Sequence, residues 1–393
     1  MNKREFLNEL NRLTSGLNEA ERARLNDYYS EMIDDRVEEG ICEEDAVAAL
    51  GDPSALAKEL SAPGSASRGD APVGSAQTVE ALNSLRVHVA NADVTVVRET
   101  LDNGAAAQLR LSDPARFECR MEGDTLKLSE RKVEAKNHGL EFGLRWLRQM
   151  ITEPNLRVTI ALSEAFAGAL DIEGGGSDIC VEGVSFSKAQ LITGSGDIRL
   201  KKVECAGGIG IDIRTHSGDV ELTDARSTNL MINTASGDIS ASGLALSGRA
   251  RLEASSGNIE LRELDCGELS VNTASGDIEF DRGRAGATTV HSASGDVRLN
   301  ELETNPSLCV ETASGDIELC RCIAVETRLS AVSGDVSLKL EPLPYGYDIS
   351  ATSVSGDIQF DKAATKAPAD AQQPKIHIRT VSGDIEAELI DKF

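Results

Sequence analysis

A short signature, Ser-Gly-Asp followed by Ile or Val, recurs along the second half of the chain. It constrains the fold more than any other feature. Its acidic position falls at Asp197, Asp219, Asp238, Asp277, Asp296, Asp316, Asp335, Asp357 and Asp384, with Asn258 in the same role once. Asp178, in Gly176-Ser177-Asp178-Ile179, is a degenerate earlier copy. Successive spacings are 19, 22, 19, 20, 19, 19, 20, 19, 22 and 27 residues. A sustained period near 20 predicts a solenoid, in which each repeat buries its apolar face only by stacking on its neighbours.

Aligned on the acidic residue, the copies form columns. The next position is always Ile or Val, from Ile198 and Val220 to Ile385. Three positions on come Leu200, Leu222, Ala241, Leu261, Phe280 and their equivalents. Six positions before the acid the residue is aliphatic, and four before it is small, as in Thr193, Thr215, Thr234 and Ala254. The pattern predicts two short strands per coil, with alternate residues inward, joined by a tight Ser-Gly-Asp corner. Gly is expected to supply a positive φ there, and the Asp and Ser oxygens to accept bonds from turn N–H groups. The expected fold is mainly β, a single-stranded β-solenoid of the helix or roll type. By analogy with crossover connections it is right-handed.

A different period governs the N-terminus. Over residues 1–62, Phe6, Leu7, Leu10 and Leu13 mark one helix face. Asn18 caps a second helix running to Gly40, a third ends near Gly51, and Asp52-Pro53 opens a fourth. Residues 63–78 have the small, Pro- and Gly-rich composition of a linker. Residues 79–173 are read as a strand-rich lead-in that caps one end of the solenoid, and 174–393 as the repeats. Lys132–Ile151 interrupts the strand pattern and carries Trp146, read as a plug or short helix. The last coil, near Leu389–Phe393, is expected to be the less protected end. The Arg68-Gly69-Asp70 triplet in the linker is read as chance.

Composition narrows the function. The 393 residues hold 40 Lys and Arg against 65 Asp and Glu, a net charge of −25, of which residues 1–62 supply −8 (7 basic, 15 acidic). That balance, with 3% aromatics, excludes clustered phosphate contacts and base-stacking platforms, so no nucleic-acid partner is expected. No apolar run is long enough to span a membrane, and no secretory leader is seen, so a cytoplasmic location is the expectation, a peripheral or surface one remaining open. Cys42, Cys119, Cys180, Cys205, Cys266, Cys309, Cys320 and Cys322 form no paired zinc spacing and read as packed thiols. The five His, at 88, 138, 216, 291 and 377, are scattered. No catalytic residue and no cofactor is expected.

The repeated Asp residues are the candidate site. Stacked at about 4.8 Å, they would repel unless hydrogen-bonded, screened or bridged by cations. Two roles fit, a calcium-binding row and turn capping. Capping is favoured, because calcium repeats use glycine-rich units of about nine residues, whereas this period is twice that with one Asp per copy.

Two resemblances follow from these residues. Lys3-Arg4-Glu5-Phe6-Leu7, Glu21-Arg22, Asp27-Tyr28-Tyr29-Ser30-Glu31, Glu43-Glu44-Asp45-Ala46-Val47 and Leu50-Gly51-Asp52-Pro53 resemble the HAAS-type helical signalling domain. Asn18 and Cys42 stand where Pro and Ser are common in that family. The corners over residues 79–393 resemble the bacterial "putative adhesin" β-repeat family of the DUF4097 type. Together the resemblances imply a non-enzymatic envelope-associated scaffold, with a protein partner through residues 1–62 and an envelope or surface ligand on the solenoid. The alternatives are a self-assembling structural solenoid and a calcium-binding adhesin.

Overall fold

The computed structural model describes residues 2–13, 77–79, 81–131, 156–360 and 373–390, with Tyr29, Ser30, Ile33, Glu43, Val47 and Pro53. The Trp146 segment, the Arg68-Gly69-Asp70 triplet, His138, Cys42 and most of the second to fourth helices expected from the sequence lie outside these residues. By chain contacts the molecule divides into one unit of Met1–Pro72 with Lys132–Leu156, and another of Val73–Arg131 with Arg157–Phe393.

In the first unit a helix spans Lys3–Leu13. Its start is a reciprocal cap: the Glu5 N–H donates to Asn2 Oδ1 at 2.8 Å, and the Asn2 N–H donates to Glu5 Oε2 at 3.1 Å. Phe6 and Leu10 are fully buried, with Leu7 and Leu13 half-buried at the margin of the same face. Phe6 meets the Tyr29 ring edge-on at 5.7 Å, and Ile33 and Val47 are also buried.

The second unit is a stack of parallel rungs, each hydrogen-bonded to the one a repeat away. The rung after Asn258 shows the plan. Residues 259–262, 264–266 and 268–273 pair in parallel with 278–281, 283–285 and 287–292. Each rung thus has three runs rather than the two expected. The bend between the first and second is taken by Glu263, with φ of 54°. Equivalent positive-φ residues are Lys202, Asp224, Arg282, Glu301 and Arg321, each five places after its corner acid. Gly occupies that place only at Gly183 and Gly243, so the bend leaves no glycine signature in the sequence.

The inward columns are as the repeat predicted. Ile198, Val220, Ile239, Ile259, Ile278, Val297, Ile317, Val336 and Ile385 are buried, as are Leu200, Leu222, Leu261, Phe280, Leu299, Leu319 and Leu338. Each such side chain contributes about 1.5–3 kcal/mol on burial, and almost none is aromatic because the rungs are narrow.

Two features of order depart from the linear reading. Strand Lys375–Ser382 pairs with both Glu326–Ser333 and Asp348–Ser355. The last repeat therefore lies between its two predecessors, and the end rung is 348–360, not the segment near Leu389. Burial explains the exchange. Ile376, Ile378 and Ile385 are covered on both sides, whereas the end rung is rich in Ser and Thr and leaves Ile358 43% exposed. At the other end, Ser84–Val89 and Asp93–Arg98 form an unforeseen rung, pairing with 169–174 and 179–182 on one side and with 125–129 and 157–162 on the other. Beyond it the strands turn antiparallel: Phe117–Glu122 pairs with Thr125–Glu130, and Ala107–Leu111 pairs with Arg157–Leu162. This change of direction ends the parallel register.

Candidate functional site

The nine candidate Asp residues fall in one row along the stack, with Asn258 among them. Every member but the terminal Asp357 accepts from the backbone of the next rung with its side chain. The Asp219 N–H donates to Asp197 Oδ1 at 3.1 Å, Asp238 to Asp219 at 2.9 Å, and Asn258 to Asp238 at 2.8 Å. Asp277 donates to Asn258 Oδ1 at 2.9 Å, Asp296 to Asp277 at 2.9 Å, Asp316 to Asp296 at 3.0 Å, and Asp335 to Asp316 at 2.8 Å. The row then follows the stacking order, Asp384 to Asp335 and Asp357 to Asp384, both at 2.8 Å. The degenerate copy joins the row, Asp197 donating to Asp178 at 2.9 Å, and the row begins one corner earlier than the repeat suggested, Asp178 donating to Asp93 at 3.3 Å. Asp93 sits in Asn91-Ala92-Asp93-Val94, a corner without Ser or Gly that the signature cannot detect. Its signal is the column pattern, with Val87 six before, Val94 next and Val96 three after. One rung further out, Glu130 Oε2 accepts from the N–H groups of Ala90 and Asn91 at 2.7 and 3.1 Å.

The row thus satisfies backbone donors that the bend would leave unpaired. Asn258 makes the same bond as its neighbours, so the site needs an acceptor oxygen rather than a charge. Asp197 and Asp296 also pair with Arg199 and Arg298, each at 2.6 Å.

The corner glycines have a different cause from the one expected. None of Gly196, Gly218, Gly237, Gly257, Gly276, Gly295, Gly315, Gly334, Gly356 and Gly383 has a positive φ. A Cβ on Gly276 would lie 2.1 Å from the Gly257 carbonyl oxygen, and one on Gly295 would lie 2.0 Å from that of Gly276. Stacking at the corner therefore excludes any side chain. The small residue four before the acid completes the arrangement. Thr234 Oγ1 accepts the Gly237 N–H at 3.0 Å and reaches the Gly218 carbonyl of the preceding rung at 3.5 Å.

Nothing in this row assembles a reaction centre. Among the described residues, no three His, Cys, Asp or Glu side chains are grouped to hold a metal ion. His88, His291 and His377 each lie beside a different glutamate, Glu173, Glu311 and Glu326, at 3.2, 3.7 and 3.9 Å. The described cysteines are free. Burial pushes the Cys266 and Cys322 thiols up to about 12 and raises those of Cys119, Cys180 and Cys309. Such thiols stay protonated at neutral pH and are poor nucleophiles.

The outer surface carries a groove of about 740 Å³ at the start of the third run. Gly210, Gly248 and Gly267 are among its lining residues, as are Lys188, Arg251 and Glu268. Met231 adds an apolar element that is 37% exposed. Sequence reading missed the groove because its glycines belong to a bend with no fixed motif.

Stacked parallel rungs with a hydrogen-bonded corner row along their surface define a repeat protein of the β-solenoid-like class. The Toastrack DUF4097 family matches residues 156–245 and 229–388, more than half of the chain, and the HAAS family matches residues 5–59. The chain belongs to the Toastrack DUF4097 family and carries a HAAS segment at its front. No curated protein matches it. Among solved structures, it is similar to a "putative adhesin" from Parabacteroides distasonis, at 11% identity and a TM-score of 0.32, over 80% of this chain and 95% of that one. A "putative adhesin" from Bacteroides fragilis gives 11% and 0.29 over the same shares. A "putative lipid binding protein" from Parabacteroides distasonis gives 14% and 0.31, again over 80% and 95%. Among the described residues, no helix is long and apolar enough to cross a membrane.

Proposed function

We propose that this chain is a non-enzymatic, envelope-associated interaction protein. Its helical segment, residues 1–62, docks a protein partner. A linker, expected over 63–78 but shortened by the strand Gln77–Val79 that pairs with Ala107–Leu109, joins it to the stack, whose outer face carries the ligand surface. We read the rungs as one continuous right-handed coil. The observation that carries the proposal is the 740 Å³ groove, which offers both charge signs and exposed backbone but no nucleophile–base pair. The HAAS match supports a signalling use of the front segment.

The test is affinity capture with the full chain, compared with a Lys188→Glu/Arg251→Glu variant and with a chain lacking residues 1–62. The reading expects each change to remove a different, reproducible set of bound molecules. Identical sets from all three proteins would overturn it.

The Asp row is proposed as a structural cap rather than a calcium row, because Oδ1 of every member but the terminal Asp357 already accepts a backbone N–H. Self-association is a second reading, favoured by the end rung. Among the described residues, strand Asp348–Ser355 pairs on one side only, and Val354 is 81% exposed. Such an edge can template pairing with another chain. That reading expects mass to rise with concentration in sedimentation; a constant monomer mass would remove it.

A further inference from the structure

On the outward side of the third run, arginines usually come with an acid two residues away. Arg214 pairs with Asp212 at 2.9 Å, Arg251 with Glu253 at 2.6 Å, and Arg328 with Glu326 at 2.6 Å. Arg379 departs from this pattern. The residues two places away are His377 and Val381, and its partners across the ladder are Ser330 and Thr352. Arg379 is exposed, and no ion pair reaches it among the described residues. In a chain of net charge −25, a guanidinium surrounded by hydroxyls rather than carboxylates calls for a ligand explanation.

The setting is concave. A groove of about 310 Å³ is lined by Arg328, Ser330, Ser350, Thr352, His377 and Arg379 among others. Arg379 lies between the hydroxyls of Ser330 and Thr352 on the ladder, and the adjoining row places His377 between Arg328 and Ser350. His377 Nδ1 and Ser350 Oγ are 2.6 Å apart, which fixes the imidazole. Glu311, also at the groove, lies beside His291 at 3.7 Å.

We propose that this groove binds a phosphate group, with Arg379 as its anchor. A guanidinium presents a planar fork of donors that matches a phosphate in two parallel hydrogen bonds. Ser330 and Thr352 supply hydroxyl donors on either side, while Arg328 is already paired with Glu326 at 2.6 Å, which leaves Arg379 as the groove's one guanidinium without an ion pair among the described residues. Binding is non-covalent. The groove is distinct from the one that carries the proposed interaction function, so either can fail alone.

The test is titration of the full chain with inorganic phosphate at constant ionic strength, followed by amide NMR shifts of Ser330, Thr352 and Arg379. The expected result is a saturable shift that Arg379→Gln weakens at least about tenfold and that Arg226→Gln, also exposed but not at this groove, leaves unchanged. Circular dichroism checks that each variant keeps its strand content. Flotation with phosphatidylcholine vesicles containing phosphatidic acid separates the sources. Arg379-dependent flotation assigns the group to a lipid headgroup, and its absence alongside the soluble response assigns it to free phosphate compounds. A non-saturable response to phosphate, or equal affinity in Arg379→Gln, would overturn the proposal.

Discussion

Asparagine already stands in the corner row at position 258 and accepts the Asp277 N–H as well as any aspartate does. Charge is therefore dispensable at the corner and the acceptor oxygen is not. Asp277→Asn should leave the denaturation midpoint almost unchanged. Asp277→Ala should cost about 1 kcal/mol, the usual net worth of one hydrogen bond. Gly276→Ala should cost more, about 2–3 kcal/mol, since its Cβ would overlap the Gly257 carbonyl and force the rungs apart. Urea titration of the three variants gives the ranking, and a Gly276→Ala protein as stable as the parent would contradict the packing argument. The second bend works by the opposite rule. Glu263 adopts a φ of 54°, where a β-branched side chain is strained, so Glu263→Val should destabilise by about 1–2 kcal/mol while Glu263→Gly should not.

At the scale of a rung, burial decides position. Among the described residues, the end rung, 348–360, pairs on one side only and its inward residues are half-buried or exposed. Its amides should exchange with solvent well before those of the rung from Ile259 to Thr273, which is paired on both sides. Hydrogen exchange with peptide resolution measures this, and equal protection of the two would contradict it. The corners and inward columns were legible because one motif recurs against a fixed apolar pattern. Three things were not. The bend at Glu263 accepts any polar residue, so it has no signature. The Asp93 corner has Asn and Ala in place of Ser and Gly. The exchange of the last two rungs depends on which rung tolerates an open side, and linear order does not carry that. Of the candidate site, the Asp row was legible as a row, and its bonding partners became clear only once the rungs were stacked.

At the scale of the molecule, the second unit joins scarce aromatics and acidic charge in an aliphatic stack with a solvated outer face. Its buried thiols make stability sensitive to alkali. Cys266 and Cys322 hold their protons up to about pH 12 when folded, whereas an exposed thiol ionises near its ordinary value of 9.0. Between these values the unfolded chain binds fewer protons than the folded one, so stability falls as pH rises from about 9 towards 12. A Cys266→Ala/Cys322→Ala protein should lose part of that slope in thermal melts taken across this range. An unchanged slope would place the alkaline loss elsewhere.

The central claim is that the corner row is held by backbone hydrogen bonds and needs no cation. Thermal melts of the full chain in millimolar calcium and in EDTA test it most directly. The account predicts the same melting temperature in both, and the same again for a protein carrying Asp238→Asn, Asp277→Asn and Asp296→Asn. A rise of several degrees with calcium, abolished by EDTA and by those substitutions, would contradict it.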